Sequence, residues 1–288
     1  MDDQVLSTFA RYGVRLSNPA GCAIDQAAES LALVGYAVVE SGLSQAELHD
    51  LSERFDRLHR AYRDRHGQDR LTALDETDSV RCPLADDPAF LSLATNPLIL
   101  ALGEQLLGPG FILNQQNGII NPPRGRRYSQ SAFHRDLPYQ HFVSSRPLAI
   151  NALFCLDPFT SENGASLVIP ASHKLEAFPS DPVVTTQVRQ VEAPAGSFLV
   201  LDAMTYHCGG PNRTDRPRRA INHVYSIAML RQQIDLPAYL GDGFSTDPAL
   251  RQLLGFRHPT VRSVEEFLDH RARRRPGDMV VGGEEPPV

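Results

Sequence analysis

Hydrophobic positions in the first third of the chain recur mostly at helical spacing. AIDQAAESLALV reads as a short helix, GYAVVE as a strand and SGLS as a turn before a long helix. In that long helix Leu48, Leu51, Phe55 and Leu58 fall on one face and predict its buried side. Ser44, with Glu47 three residues later, makes a capping box in which each side chain meets a free backbone N–H at the helix start. NPLILALGEQLLG, residues 96–108, predicts another helix, with Asn96 as N-cap, Pro97 at the first helical position and Gly108 as terminator.

From residue 111 the texture changes. GFILNQQNGIINPP, RPLAINALFCLDPF, GASLVIPASHK, AGSFLVLDAMTYH and RAINHVYSIAML are short β-rich stretches divided by Pro, Gly, Asn and Asp turn signals. Helices first and many short strands later predict a mainly β fold, an antiparallel sandwich or barrel with flanking helices. The expected organisation is an N-terminal arm over residues 1–20, one domain over 21–270 and a C-terminal tail over 271–288.

Composition narrows the function classes. A chain of 288 residues can bury a sizeable core without staples, and its four cysteines form no C-x-x-C pair. Reduced thiols and a cytoplasmic location are expected, since no apolar run is long enough to span a bilayer and the N-terminus lacks a signal-peptide pattern. The net charge of −6 argues against a nucleic-acid partner, because such affinity needs many cations on phosphates. HRARRRPGD, residues 270–278, is a local basic cluster read as a solvated helix end. The expected partner is a small-molecule substrate, and the expected state a monomer or homodimer.

The candidate chemistry begins in SAFHRDLPYQHF, where His134 and Asp136 stand two apart. One such pair can arise by chance and needs context. If the pair lies at the end of a strand, both side chains point the same way and can reach one ion. His207, after the apolar run SFLVLDAM and before a glycine pair that lets the chain turn, is the best third ligand. Two imidazoles and one carboxylate on one face match non-heme Fe(II) oxygenases, although zinc accepts the same donors. Arg218, at the start of the next strand, could grip a carboxylate bidentately. A metal with open positions and a buried arginine fit a chelating dicarboxylate such as 2-oxoglutarate. The competing readings are a zinc or manganese hydrolase or isomerase on a similar barrel, and a catalytically silent binding protein.

His134-x-Asp136, ENGASLVIPASHK, AGSFLVLDAMTYH, and His207 followed by GGPNRTDRPRRA together resemble the phytanoyl-CoA dioxygenase family of Fe(II)/2-oxoglutarate oxygenases, over about residues 24–230. The resemblance implies a double-stranded β-helix, or jelly roll, with iron on His134, Asp136 and His207. It implies 2-oxoglutarate and O2 as co-substrates, ascorbate as an accessory reductant, and Arg218 on the distal carboxylate of 2-oxoglutarate. Asn117 and Asn151 fall where relatives place polar groups near the co-substrate, the alternative being structural amides that close turns. Tyr139, Gln140, His141 and Arg146, in the loop after the metal pair, are read either as substrate contacts or as loop packing. His173 is read as a structural turn residue, His223 as a core histidine or pocket residue in equal measure, Cys208 as small filler, and Arg219 as a surface or packing residue. The implied reaction is oxidative decarboxylation to succinate and CO2, coupled to hydroxylation of an unactivated C–H bond. Halogenation is disfavoured, because related halogenases lack the carboxylate that Asp136 supplies.

Overall fold

The computed structural model describes residues 12–16, 21–138 and 141–273. Its strands, among the described residues, are β1 (Tyr36–Glu40), β2 (Ser79–Arg81), β3 (Ile112–Asn121), β4 (Ala149–Cys155), β5 (Ser166–Val168), β6 (Arg189–Val191), β7 (Ser197–Asp202), β8 (His207–Cys208) and β9 (Arg218–Ser226). They form a six-stranded sheet in the order β1-β7-β4-β9-β3-β2 and a three-stranded sheet in the order β6-β5-β8, antiparallel throughout. Two antiparallel sheets with crossover connections make the jelly roll that the sequence predicts.

The period-two alternation of each central strand feeds two cores. Leu153, Leu199, Leu201 and Ala220 point from the large sheet toward Val168 and Val191 of the small one. Their neighbours Phe154, Phe198, Val200 and Ile221 point outward into a larger core shared with the helices. Helix α1 (Ala23–Val34) and helix α2 (Gln45–His66) cover that outer face. The capping box of Ser44 and Glu47 forms, and Leu48, Leu51, Phe55 and Leu58 are buried as the spacing predicts. Gly118 on β3 lets α2 lie close, because a Cβ there would stand 2.4 Å from the Phe55 ring. The helix Pro97–Leu107 has Asn96 as its N-cap, accepting from the N–H groups of Leu98 and Ile99.

Several expectations change. β2 and β6, three residues each, carry too little alternation to be read from sequence. Residues 271–273 belong to the helix Val264–Arg273, while 274–288 lie outside the described residues, with Arg274 and Arg275 of the basic cluster. Of the expected N-terminal arm, residues 12–16 are irregular and exposed, and 1–11 and 17–20 lie outside the description. Gly209 and Gly210 do not supply a left-handed turn, since neither has positive φ. They are needed for close approach: a Cβ on Gly209 would lie 2.1 Å from the Tyr128 hydroxyl, and one on Gly210 2.5 Å from the Ala165 carbonyl. No described helix is long and apolar enough to cross a membrane.

Candidate active site

His134 and Asp136 lie on no regular strand. His134 instead forms an isolated antiparallel bridge with His207, in which His134 N–H donates to the His207 carbonyl at 3.0 Å and His207 N–H returns the bond at 3.1 Å. Asp136 N–H donates to the Ala203 carbonyl at 3.0 Å, so the segment stays extended along residues 203–207. The expected alternation follows. His134 and Asp136 turn toward His207, and Arg135 turns away to donate to the carbonyls of Met204 and Ser172, with its guanidinium 4.0 Å above the Tyr206 ring.

One ligand atom from each of His134, Asp136 and His207 falls within 4.8 Å of the others, the spacing of donors that can share an ion. The His207 Nε2 is 3.9 Å from Asp136 Oδ2. Both imidazoles are held in the same tautomer. His134 Nδ1 faces the Ala132 carbonyl at 2.8 Å and His207 Nδ1 faces the Thr205 carbonyl at 3.0 Å. A carbonyl only accepts, so each Nδ1 carries the hydrogen and each Nε2 offers its lone pair inward. Burial pushes the His207 imidazole below its ordinary range, against the pull of Asp136, and this keeps it neutral as a ligand must be. Asn151 Nδ2 donates to Asp136 Oδ2 at 2.9 Å and fixes the carboxylate.

Arg218 is 3 % exposed, and its Nε and Nη1 have no partner. Its guanidinium lies 3.8 Å over the Phe159 ring and beside the Tyr128 hydroxyl. Burial lowers its pKa, with Tyr128 acting in the opposite direction. A narrow cavity joins Arg218 to His134 and His207, bordered also by Asn151, Tyr128, Gln130 and Ser166. The unsatisfied donors of Arg218 and the Nε2 atoms of His134 and His207, brought to one cavity, suit a small chelating anion.

The other expected residues divide. Asn151 belongs to the site, but its amide N–H is engaged by Asp136. Asn117 borders a neighbouring cavity and donates to Gln233 Oε1 at 3.1 Å. His141 and Arg146 are exposed and do not border the cavity of the triad, and Tyr139 and Gln140 lie outside the described residues. His173 faces the Ala32 carbonyl at 3.4 Å, away from the triad. His223 is a core histidine between the Gln116 amide and the Ala152 carbonyl. Cys208 is buried and borders the cavity. Arg219 points outward, pairing with Asp157 at 2.7 Å and with Asp56 of α2 at 2.8 Å. Tyr128, Gln130 and Ser166 were not singled out by sequence, because no motif marks them and only the tertiary fold brings them to Arg218.

A jelly roll that gathers two imidazoles and a carboxylate beside a buried arginine with free donors defines the class of Fe(II)/2-oxoglutarate-dependent oxygenases. The chain belongs to the phytanoyl-CoA dioxygenase (PhyH) family, whose profile matches residues 32–220. A protein of Mycobacterium tuberculosis, Rv1501, described as uncharacterized, is 33% identical over 250 residues, 85% of this chain and 91% of its own. The iron/alpha-ketoglutarate-dependent dioxygenase penM of Penicillium thymicola is 32% identical over 134 residues, 43% of this chain and 42% of its own. Among solved structures, the non-heme alpha ketoglutarate dependent epimerase SnoN from nogalamycin biosynthesis superposes with a TM-score of 0.55 at 26% identity, covering 78% of this chain and 90% of that one.

Proposed function

We propose that the protein is an Fe(II)- and 2-oxoglutarate-dependent dioxygenase that hydroxylates an unactivated C–H bond of a small, polar metabolite or natural-product intermediate, releasing succinate and CO2. The observation that carries this reading is the pairing of an inward-facing His134/Asp136/His207 set with the unpartnered Nε and Nη1 of Arg218 in one cavity. The residues fit the groups they would hold. His134 and His207 present lone pairs through Nε2, Asp136 supplies charge, and Arg218 offers a forked donor pair to a carboxylate. Bound iron would supply oxygen activation, chemistry that no side chain provides.

The remaining work belongs to the chain. Carbonyls of Ala132 and Thr205 hold the imidazole tautomers, and Asn151 orients Asp136. Phe159 and the inner apolar core exclude water around Arg218, which strengthens its grip on an anion. Asp136 occupies the ligand place that a halide would need, which favours hydroxylation over halogenation.

Succinate formation tests the reading. Purified protein loaded with iron without air, then given 2-oxoglutarate, ascorbate and air, should form succinate, and His134→Ala and Arg218→Ala should each abolish it. Turnover that survives both substitutions would refute the assignment.

A further inference from the structure

Three buried asparagines face the inner side of the large sheet near the metal-ligand set. Asn117 on β3 and Asn222 on β9 are direct cross-strand partners, and Leu153, opposite Asn222 on β4, is two residues from Asn151 on the same face. Asn117, Asn222 and Asn151 are 3 %, 9 % and 1 % exposed, yet the Oδ1 of each accepts no hydrogen bond. For Asn151 the orientation is forced: the Asp136 carboxylate accepts only, so Nδ2 faces it and Oδ1 turns away. In Asn117, Nδ2 is engaged by Gln233 and leaves Oδ1 without a donor.

A buried carbonyl oxygen with no donor is costly, and a bound molecule that donates to it removes the cost. 2-Oxoglutarate cannot complete these, because its two carboxylates and its ketone only accept. It matches the donors of Arg218 instead. A different molecule, one with hydrogens to donate, would complete Asn117 and Asn222 as they are oriented. Asn222 borders the cavity of Arg218 and Asn117 the neighbouring one, and among the described residues neither cavity has an Asp or Glu in its lining. An ammonium would be buried there without a counter-charge, whereas a neutral hydroxyl carries its own donor.

We infer that Asn117 and Asn222 form a substrate-recognising wall, and that the prime substrate is a neutral, hydroxyl-bearing compound that donates to their Oδ1 atoms. This rests on the oxygenase reading above. It assigns Asn117 to the substrate and not to the co-substrate, and it disfavours a plain acyl chain, which has no donor to offer.

The test uses crystals of the full chain with Mn(II) in place of iron and with 2-oxoglutarate, soaked with one of two six-ring probes. The probes are trans-cyclohexane-1,2-diol, which donates two hydroxyl hydrogens, and cyclohexanone, which only accepts. Affinities for the same complexes are measured in solution by ligand-observed NMR. The expected result is 2-oxoglutarate on Arg218, diol oxygens against Oδ1 of Asn117 and Asn222, and diol binding tighter than ketone binding. Asn222→Leu should weaken the diol by roughly tenfold. Asn222→Asp, which keeps an acceptor, should retain it. If the leucine variant does not fold, the comparison of diol with ketone in the unaltered protein decides alone. Ketone binding as tight as diol binding, absence of diol from the wall at saturation, or 2-oxoglutarate packed against both Oδ1 atoms would overturn the inference. Failure of 2-oxoglutarate to bind the unaltered protein would instead overturn the oxygenase reading.

Discussion

Asn151 shows how one side chain tunes a ligand set without belonging to it. Its Nδ2 holds Asp136 Oδ2 at 2.9 Å, so Asn151→Ala frees the carboxylate to rotate. Metal affinity should fall by about 10- to 100-fold, measured by Co(II) titration followed through visible absorption. An affinity within twofold of the unaltered protein would remove Asn151 from this role. Arg218 carries the opposite trade. Its charge is buried with Nε and Nη1 unpartnered, a cost that the apo protein bears. Arg218→Met should therefore raise the apo unfolding free energy, by on the order of 1 kcal/mol, while removing 2-oxoglutarate binding. A less stable apo protein would show that Tyr128 and Phe159 already compensate the guanidinium. His134 and Asp136 were legible in sequence because a two-residue spacing in extended chain needs no tertiary knowledge. The partner of Asn151 was not legible, because the contact joins β4 to a bridge segment fifteen residues earlier in the chain.

At the level of elements, the helix-to-sheet layer sets how firmly the site's floor is held. Gly118 lies under Phe55, and a Cβ at that position would intrude to 2.4 Å. Gly118→Ala should destabilise the fold by roughly 1–3 kcal/mol in urea unfolding, and adding Phe55→Leu should recover part of the loss. An additive or neutral double variant would mean that α2 does not register on β3 through this contact. The same layer holds His223 on β9, whose pKa burial pushes from 6.5 down to about 4. The folded protein keeps this imidazole neutral, while the unfolded chain takes up a proton near pH 6.5. Its contribution is therefore complete above about pH 6.5 and is lost as pH falls toward 4, by up to about 3 kcal/mol. His223→Gln should flatten the pH dependence of stability across that window, and an unchanged slope would place the titration elsewhere. Elements with five or more alternating residues and clear caps, such as β1, β4, β7, β9 and α2, were legible. The three-residue strands β2 and β6 were not, because tertiary pairing and not local pattern makes them strands. The glycine pair at 209–210 was legible as a constraint, but its need for close approach was not, since that depends on Tyr128 and Ala165.

Across the whole molecule, the antiparallel order β1-β7-β4-β9-β3-β2 closes over the small sheet and brings His134, Asn151, Ser166, His207 and Arg218 to one cavity. Membership of the PhyH family accounts for that architecture. The fold class was legible because helical periods precede strand periods along the chain. The substrate wall was not, because Asn117 and Asn222 acquire meaning only as cross-strand neighbours with unsatisfied oxygens. On the proposed reading the triad and Arg218 act together on one dicarboxylate. Equilibrium dialysis of labelled 2-oxoglutarate against the anaerobic protein, with and without Fe(II), tests this. Saturable binding that tightens with Fe(II) and disappears in both Arg218→Ala and His134→Ala is the predicted result, and binding that ignores the metal or survives loss of Arg218 would contradict it.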